Sequence, residues 1–140
     1  MSPSPSLLVI DDDPFIRQLA LAVLSPHGYR VTTASTGAGG LARLADRAPD
    51  LVLLDLGLPD ISGLEVLRHF RATPTWRDVR ILMLTASSEI DDMVQAKQSG
   101  ASGYICKPIQ PDALAPMVSD LLQQDDLVWL DDYTRAHKGR

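Results

Sequence analysis

Five chemically capable side chains each follow directly on a short apolar run. Asp11 and Asp12 follow Leu7 to Ile10, Asp55 follows Leu51 to Leu54, Thr85 follows Ile81 to Leu84, and Lys107 follows Gly103 to Cys106. A single Asp in such a position is ordinarily a helix cap, which is the reading given to Asp13. Three carboxylates, a hydroxyl and an ammonium drawn to one place are harder to explain that way. Crowded carboxylates disfavour one another's ionisation, so such a cluster persists best around a hard cation. Oxygen ligands with open positions suit Mg²⁺ or Mn²⁺, which keep several waters and also bind phosphate. The lysine adds positive charge and the threonine adds a donor. Together these are the parts that hold the three oxygens of a transferring phosphoryl group. The carboxylate nearest the centre, Asp55, then becomes the nucleophile.

For these residues to meet, the apolar runs must be strands lying side by side. Each run is followed by a stretch with helical periodicity. Asp13 and Pro14 open the first helix as N-cap and first residue, and Ile16, Leu19, Ala20, Val23 and Leu24 share one face of it. Tyr29 to Ala34 reads as a second, weaker strand. Thr36 to Arg47 reads as a helix, although Gly39 and Gly40 oppose it. Ser62 and Glu65 have capping-box spacing for a third helix burying Leu64, Leu67 and Phe70. Ser87 or Ser88 caps a fourth helix that Gly100 closes. Leu114, Met117, Val118, Leu121 and Leu122 mark the last one. Five alternations of strand and helix predict an α/β fold, a parallel sheet covered by helices on both faces. Ligands in such sheets bind at the carboxyl ends of the strands, where all five candidates stand.

The 140 residues suit one domain, and 45% apolar content is enough for a core. A formal net charge of −5 argues against a dedicated nucleic-acid surface. One cysteine excludes an internal disulfide and a Cys-based zinc site and fits a reducing cytoplasm. No stretch approaches the roughly 20 apolar residues that cross a bilayer, so the expected location is cytoplasmic. Residues 1–6 read as a disordered N-terminus, 7–124 as the domain, and 125–140 as a tail or an extension of the last helix.

Val9 to Pro14 resembles the acidic pair of response-regulator receiver domains, and Leu53 to Pro59 resembles their phosphoacceptor loop. Leu84 to Ala86 and Gly103 to Pro108 resemble their last two signatures. The likeness runs from about Leu7 to Gln123. It implies a flavodoxin-like, doubly wound, five-stranded sheet in the order 2-1-3-4-5. It also implies phosphorelay signalling: Asp55 is phosphorylated from a sensor histidine kinase or a histidine phosphotransfer protein, and an unknown output partner reads the result. Under the resemblance, Asp12 and Asp55 bind Mg²⁺ directly, Asp11 acts through water and the Gly57 carbonyl is a further ligand. Thr85 and the Ala86 amide meet the phosphoryl oxygens, and Lys107 pairs with them. The Lys107–Pro108 peptide is commonly cis in the family. Tyr104 matches an aromatic switch position that answers to Thr85.

Other readings have identifiable requirements. A phosphoaspartate hydrolase needs a second Asp two residues after the nucleophile, where this chain has Gly57. A flavin carrier needs a Gly- and hydroxyl-rich phosphate loop after the first strand, where this chain has three aspartates. An adaptor that is never phosphorylated needs none of the five residues. His27, His69 and His137 read as surface residues and Cys106 as a small buried hydrophobe. Pro116 should make the last helix start late or kink, so the dimer is expected to be non-standard or absent. The apolar cluster Leu127 to Leu130 should be covered, with Trp129 packing on its own domain or on a partner. Ser87 is small, so the phosphoryl lifetime should not be unusually long.

Overall fold

The computed structural model describes residues 4–45, 47–86, 90–123 and 130–131. β1 (Ser6–Ile10) leads into α1 (Pro14–Leu24), and β2 (Arg30–Ala34) into α2 (Gly37–Arg43). β3 (Leu51–Asp55) precedes α3 (Gly63–Ala72), β4 (Arg80–Thr85) precedes α4 (Ile90–Gln98), and β5 (Gly103–Cys106) precedes α5 (Pro111–Gln123). A two-residue strand, β6 (Leu130–Asp131), comes last. All pairings are parallel and the order is β2-β1-β3-β4-β5-β6.

The first five strands thus take the expected order, and the sheet has one strand more than expected. β6 aligns Leu130 with Gly103 and Asp131 with Tyr104. At these two residues the chain is strand, so the last helix does not continue through them. Trp129, Ser87, Ser88 and His137 lie outside the described residues. At the other end, Ser6 belongs to β1 and the Pro5 carbonyl accepts a 2.9 Å bond from the Arg30 amide, so order begins before residue 7.

Alternation along the strands divides the core in two. Leu7, Val9, Leu51, Leu53, Leu82 and Leu84 face α1 and α5. Leu8, Ile10, Val52, Leu54, Ile81 and Met83 face the other helices, with Phe70 and Tyr104 among them. Burial on both faces is why β1, β3 and β4 are continuously apolar. β2 has only partly buried and exposed residues.

Local signals set several helix boundaries. The Asp13 carboxylate accepts from the Phe15 amide at 2.9 Å, with Pro14 opening α1. Ser62 Oγ accepts from the Glu65 amide at 3.2 Å to start α3. Gly100, at φ +102°, closes α4. α2 stops at Arg43, four residues short of the expected end. α5 runs through Pro116 and starts at Pro111, so the late start is ruled out. The Asp112 carbonyl loses its helical donor there. Burial of Leu114, Met117, Val118 and Leu121, at roughly 1.5–3 kcal/mol each, outweighs that loss.

Gly63 holds α3 against the end of β3. A Cβ there would collide with the Asp55 carbonyl oxygen and come within 2.7 Å of Leu56 Cα. These are backbone atoms and cannot rotate away. Gly63→Ala should therefore cost about 3 kcal/mol or more. Urea denaturation checks this, and a loss below about 1 kcal/mol would mean the helix slides freely.

Candidate functional site

The carboxyl ends of β1, β3, β4 and β5 open onto a cleft of about 630 Å³. Asp12, Asp55, Gly57, Thr85, Ala86 and Lys107 line it, together with Asp13 and Leu56. Asp11 lies just beneath, fully buried. Ligand oxygens of Asp11, Asp12 and Asp55 all fall within 4.8 Å of one another. The five residues singled out by their position after apolar runs are thus gathered at one end of the sheet.

Backbone bonds hold this edge together. The Asp11 amide donates to the Ala34 carbonyl at 3.1 Å, the Leu56 amide to Leu84 at 3.0 Å, and the Lys107 amide to Thr85 at 2.7 Å. That last bond ties the turn after β5 to the end of β4. The Lys107–Pro108 peptide is cis. Asp11 Oδ1 accepts from the Asp13 amide at 2.9 Å, and Arg17 donates to the Asp11 carbonyl at 2.8 Å. Arg17 is a support that the sequence alone did not reveal.

The electrostatics centre on Lys107. Its Nζ lies 2.9 Å from Asp11 Oδ2 and 3.5 Å from Asp55 Oδ1. Among the described residues, Asp11 Oδ2 has no partner besides this ion pair. Burial alone would lower the lysine's pKa. The Asp11 hydrogen bond, the Asp11 charge and the Asp55 charge outweigh it and hold the ammonium above its ordinary value. The Asp55 carboxyl is shifted up, first by burial and then by the Asp11 charge, against the pull of Lys107. The Gly57 amide donates to Asp55 Oδ1 at 3.3 Å. Three carboxylates against one ammonium leave two negative charges, a donor set and charge that fit a divalent cation bound through oxygen.

Tyr104 is fully buried beneath this edge, beside Met83 in the sheet register. Thr85 is buried, while Ala86 is exposed. Cys106 is half-buried rather than buried. His27 and His69 are exposed.

Asp60 was not legible as a functional residue. Its carboxylate reaches across from the loop after β3 to the start of α2, where Oδ1 accepts from the Gly37 amide and Oδ2 from Ala38, both at 2.9 Å. Those two bonds hold its pKa below the usual carboxylate value, the Ala38 bond most. A lowered folded-state pKa contributes stability above the unfolded value and loses it as pH falls through the folded one. Asp60→Ala should therefore flatten the acid side of the stability curve below about pH 4. Urea midpoints from pH 2 to 6 check this; an unchanged slope would mean the two bonds contribute nothing.

Comparison with known proteins gives consistent results. The profile of the response regulator receiver domain matches residues 7–119. Similar curated proteins include the transcriptional regulatory protein KdpE of Mycobacterium tuberculosis, 45% identical over 106 residues, which are 76% of this chain and 46% of that protein. The phosphate regulon transcriptional regulatory protein PhoB of Pseudomonas aeruginosa is 35% identical over 119 residues, 85% of this chain and 52% of that one. The chain spans about half the length of these relatives. Among solved structures, the chemotaxis response regulator CheY4 of Vibrio cholerae superposes with a TM-score of 0.80 at 29% identity, covering 84% of this chain and 98% of that one. A putative response regulator of Chloroflexus aurantiacus reaches 0.82 at 31% identity, covering 86% and 99%.

Proposed function

This chain belongs to the response regulator receiver domain family, and on that premise we propose that Asp55 accepts a phosphoryl group from a histidine donor. It is a receiver of the two-component type, a signalling switch rather than a metabolic enzyme. The observation that carries the reading is Lys107 paired with both Asp11 and Asp55 in a cleft that also presents Asp12 and Thr85. No histidine among the described residues lines the cleft. We take the donor to be a sensor histidine kinase or a histidine phosphotransfer protein.

Asp11, Asp12 and Asp55 would hold Mg²⁺ or Mn²⁺, with the Gly57 carbonyl as a further ligand. A bound cation supplies the charge that lets an anionic phosphoryl group approach three carboxylates. One oxygen of the Asp55 carboxylate would attack phosphorus. Its attack forms an O–P bond as the P–N bond breaks, and the electron pair returns to the imidazole nitrogen, which takes a proton from water. Lys107, the Thr85 hydroxyl and the Ala86 amide would each meet a phosphoryl oxygen.

Tyr104 would couple Thr85 to the surface. Its ring is buried in the sheet edge beneath Thr85, and phosphorylation would act by shifting a population between two states. The two named relatives are transcriptional regulators. If this receiver serves the same end, the part that contacts DNA lies outside residues 7–119. We take residues 7–124 as the signalling unit and 125–140 as its tail, of which Leu130 and Asp131 pair with β5. A cytoplasmic location fits the role, and no helix among the described residues is long and apolar enough to cross a membrane.

The test is incubation with acetyl phosphate and Mg²⁺, read by intact mass. One added phosphoryl group, absent when the cation is chelated, is the expected result. A chain that stays unlabelled with Mg²⁺ present would overturn the reading.

A further inference from the structure

At the edge of the sheet opposite Asp55, three arginines surround a cavity of about 240 Å³. Arg30 comes from β2, Arg43 from the last turn of α2, and Arg47 from the segment that leads to β3. Leu8 and Pro49 give the cavity an apolar lining, and Ser6 adds a polar one. Ser6 and Ile10 are the two ends of β1. At ~3.3 Å per residue the cavity is therefore about 13 Å along that strand from the acidic cluster.

Charge sets this cavity apart from the rest of the surface. The chain carries a formal net charge of −5. Yet among the described residues no carboxylate lines the cavity, and none of its three arginines is ion-paired. Asp50 stands at the rim, where its Oδ2 accepts from the Ser6 amide at 2.7 Å, and Asp46, next to Arg47 in the sequence, lies outside the described residues. Guanidinium groups crowded around a depression repel one another, as the carboxylates do at the other edge. They tolerate it best when an anion lies between them. Their planar forks match a carboxylate or phosphate with two parallel bonds each. Leu8 and Pro49 are themselves buried at the floor, so the accessible apolar wall includes the arginine stems, and a purely inorganic ion would leave it unused.

We propose that this cavity binds a small organic oxyanion, a phosphate ester or carboxylate whose apolar body rests on the arginine stems above Leu8 and Pro49. The volume lies just below the ~300–1,000 Å³ of pockets for larger ligands, which limits the occupant to a small molecule. This second site does not depend on Asp55 being a phosphoacceptor, because it shares no residue with the cleft.

Phenyl phosphate, benzoate and inorganic phosphate are the probes, titrated into the full chain without added Mg²⁺ and followed by backbone amide shifts. Saturable shifts in β2 and at the end of α2 are expected with phenyl phosphate or benzoate. The better of the two, which identifies the head group, should bind about tenfold tighter than inorganic phosphate. The double variant Arg30→Gln/Arg43→Gln should lose about tenfold or more of that affinity. Arg68→Gln, at an exposed position on α3, should lose none. Arg43→Lys keeps the charge but not the fork, and should weaken binding with the amide spectrum otherwise intact. Three results would overturn the proposal. One is no saturable shift at millimolar probe. Another is equal affinity for inorganic phosphate, meaning an adventitious ion only. The third is unchanged binding in a folded double variant.

Discussion

Asp55→Asn should abolish labelling by acetyl phosphate in the presence of Mg²⁺, a loss of at least about a thousandfold in rate. The amide keeps the shape of the side chain and an acceptor for the Gly57 amide, so the fold should survive. What disappears is the nucleophilic oxygen: Asp11 is fully buried beneath the cleft and ion-paired to Lys107, and Asp12 would be engaged by the cation. The variant should also be more stable than the parent without a divalent cation. Asp55 is held near Asp11 in a buried setting, and both factors oppose its ionisation. Removing that charge should gain on the order of 1 kcal/mol at neutral pH. Mg²⁺ at a hundred times its dissociation constant should stabilise the parent by about 2.7 kcal/mol and the variant by much less. Intact mass and urea denaturation, each with and without Mg²⁺, check both parts. Labelling that persists in Asp55→Asn would move the phosphoacceptor to another residue.

Lys107→Met should separate cation binding from phosphoryl transfer. Without the ammonium, Asp11 Oδ2 loses the one partner it has among the described residues. Breaking a buried pair by removing one member costs about 3–5 kcal/mol. The lysine side chain is 20% exposed, so the lower end of that range, about 3 kcal/mol, applies without a cation. The three carboxylates then carry a full uncompensated charge. Mg²⁺ should bind more tightly than in the parent and restore much of the lost stability. Phosphoryl transfer should still fall by about 10²–10³, because a donor aimed at a developing charge contributes that much. Tighter binding with slower transfer is the signature. A variant that binds Mg²⁺ less tightly would mean Lys107 supports the cation site rather than competing with it.

The elements themselves were legible from local signals. Apolar runs bounded by turn residues marked β1, β3 and β4. Asp13 with Pro14, Ser62 with Glu65, and Gly100 marked helix ends, and all are used as such. The acidic cluster was also legible, because its members directly follow their strands and the parallel topology brings those strand ends together. Two boundaries were misjudged. α5 runs through Pro116 because its buried face outweighs one lost bond, and α2 stops at Arg43, three residues after Gly40.

Residue order and residue type therefore determined the strands, the caps and the chemistry of the cleft, since each depends on neighbours a few positions away. Only the folded chain decided the contacts between distant segments. Asp60 bonds to amides 22 and 23 positions away, and a helix start accepts any carboxylate that reaches it, whatever its place in the sequence. The close approach of Gly63 to Asp55, the hold of Arg17 on the Asp11 carbonyl and the pairing of β6 with β5 are of the same kind. So is the meeting of Arg30, Arg43 and Arg47 around one cavity. No local pattern encodes them, because backbone donors and open strand edges carry no record of which segment will fill them.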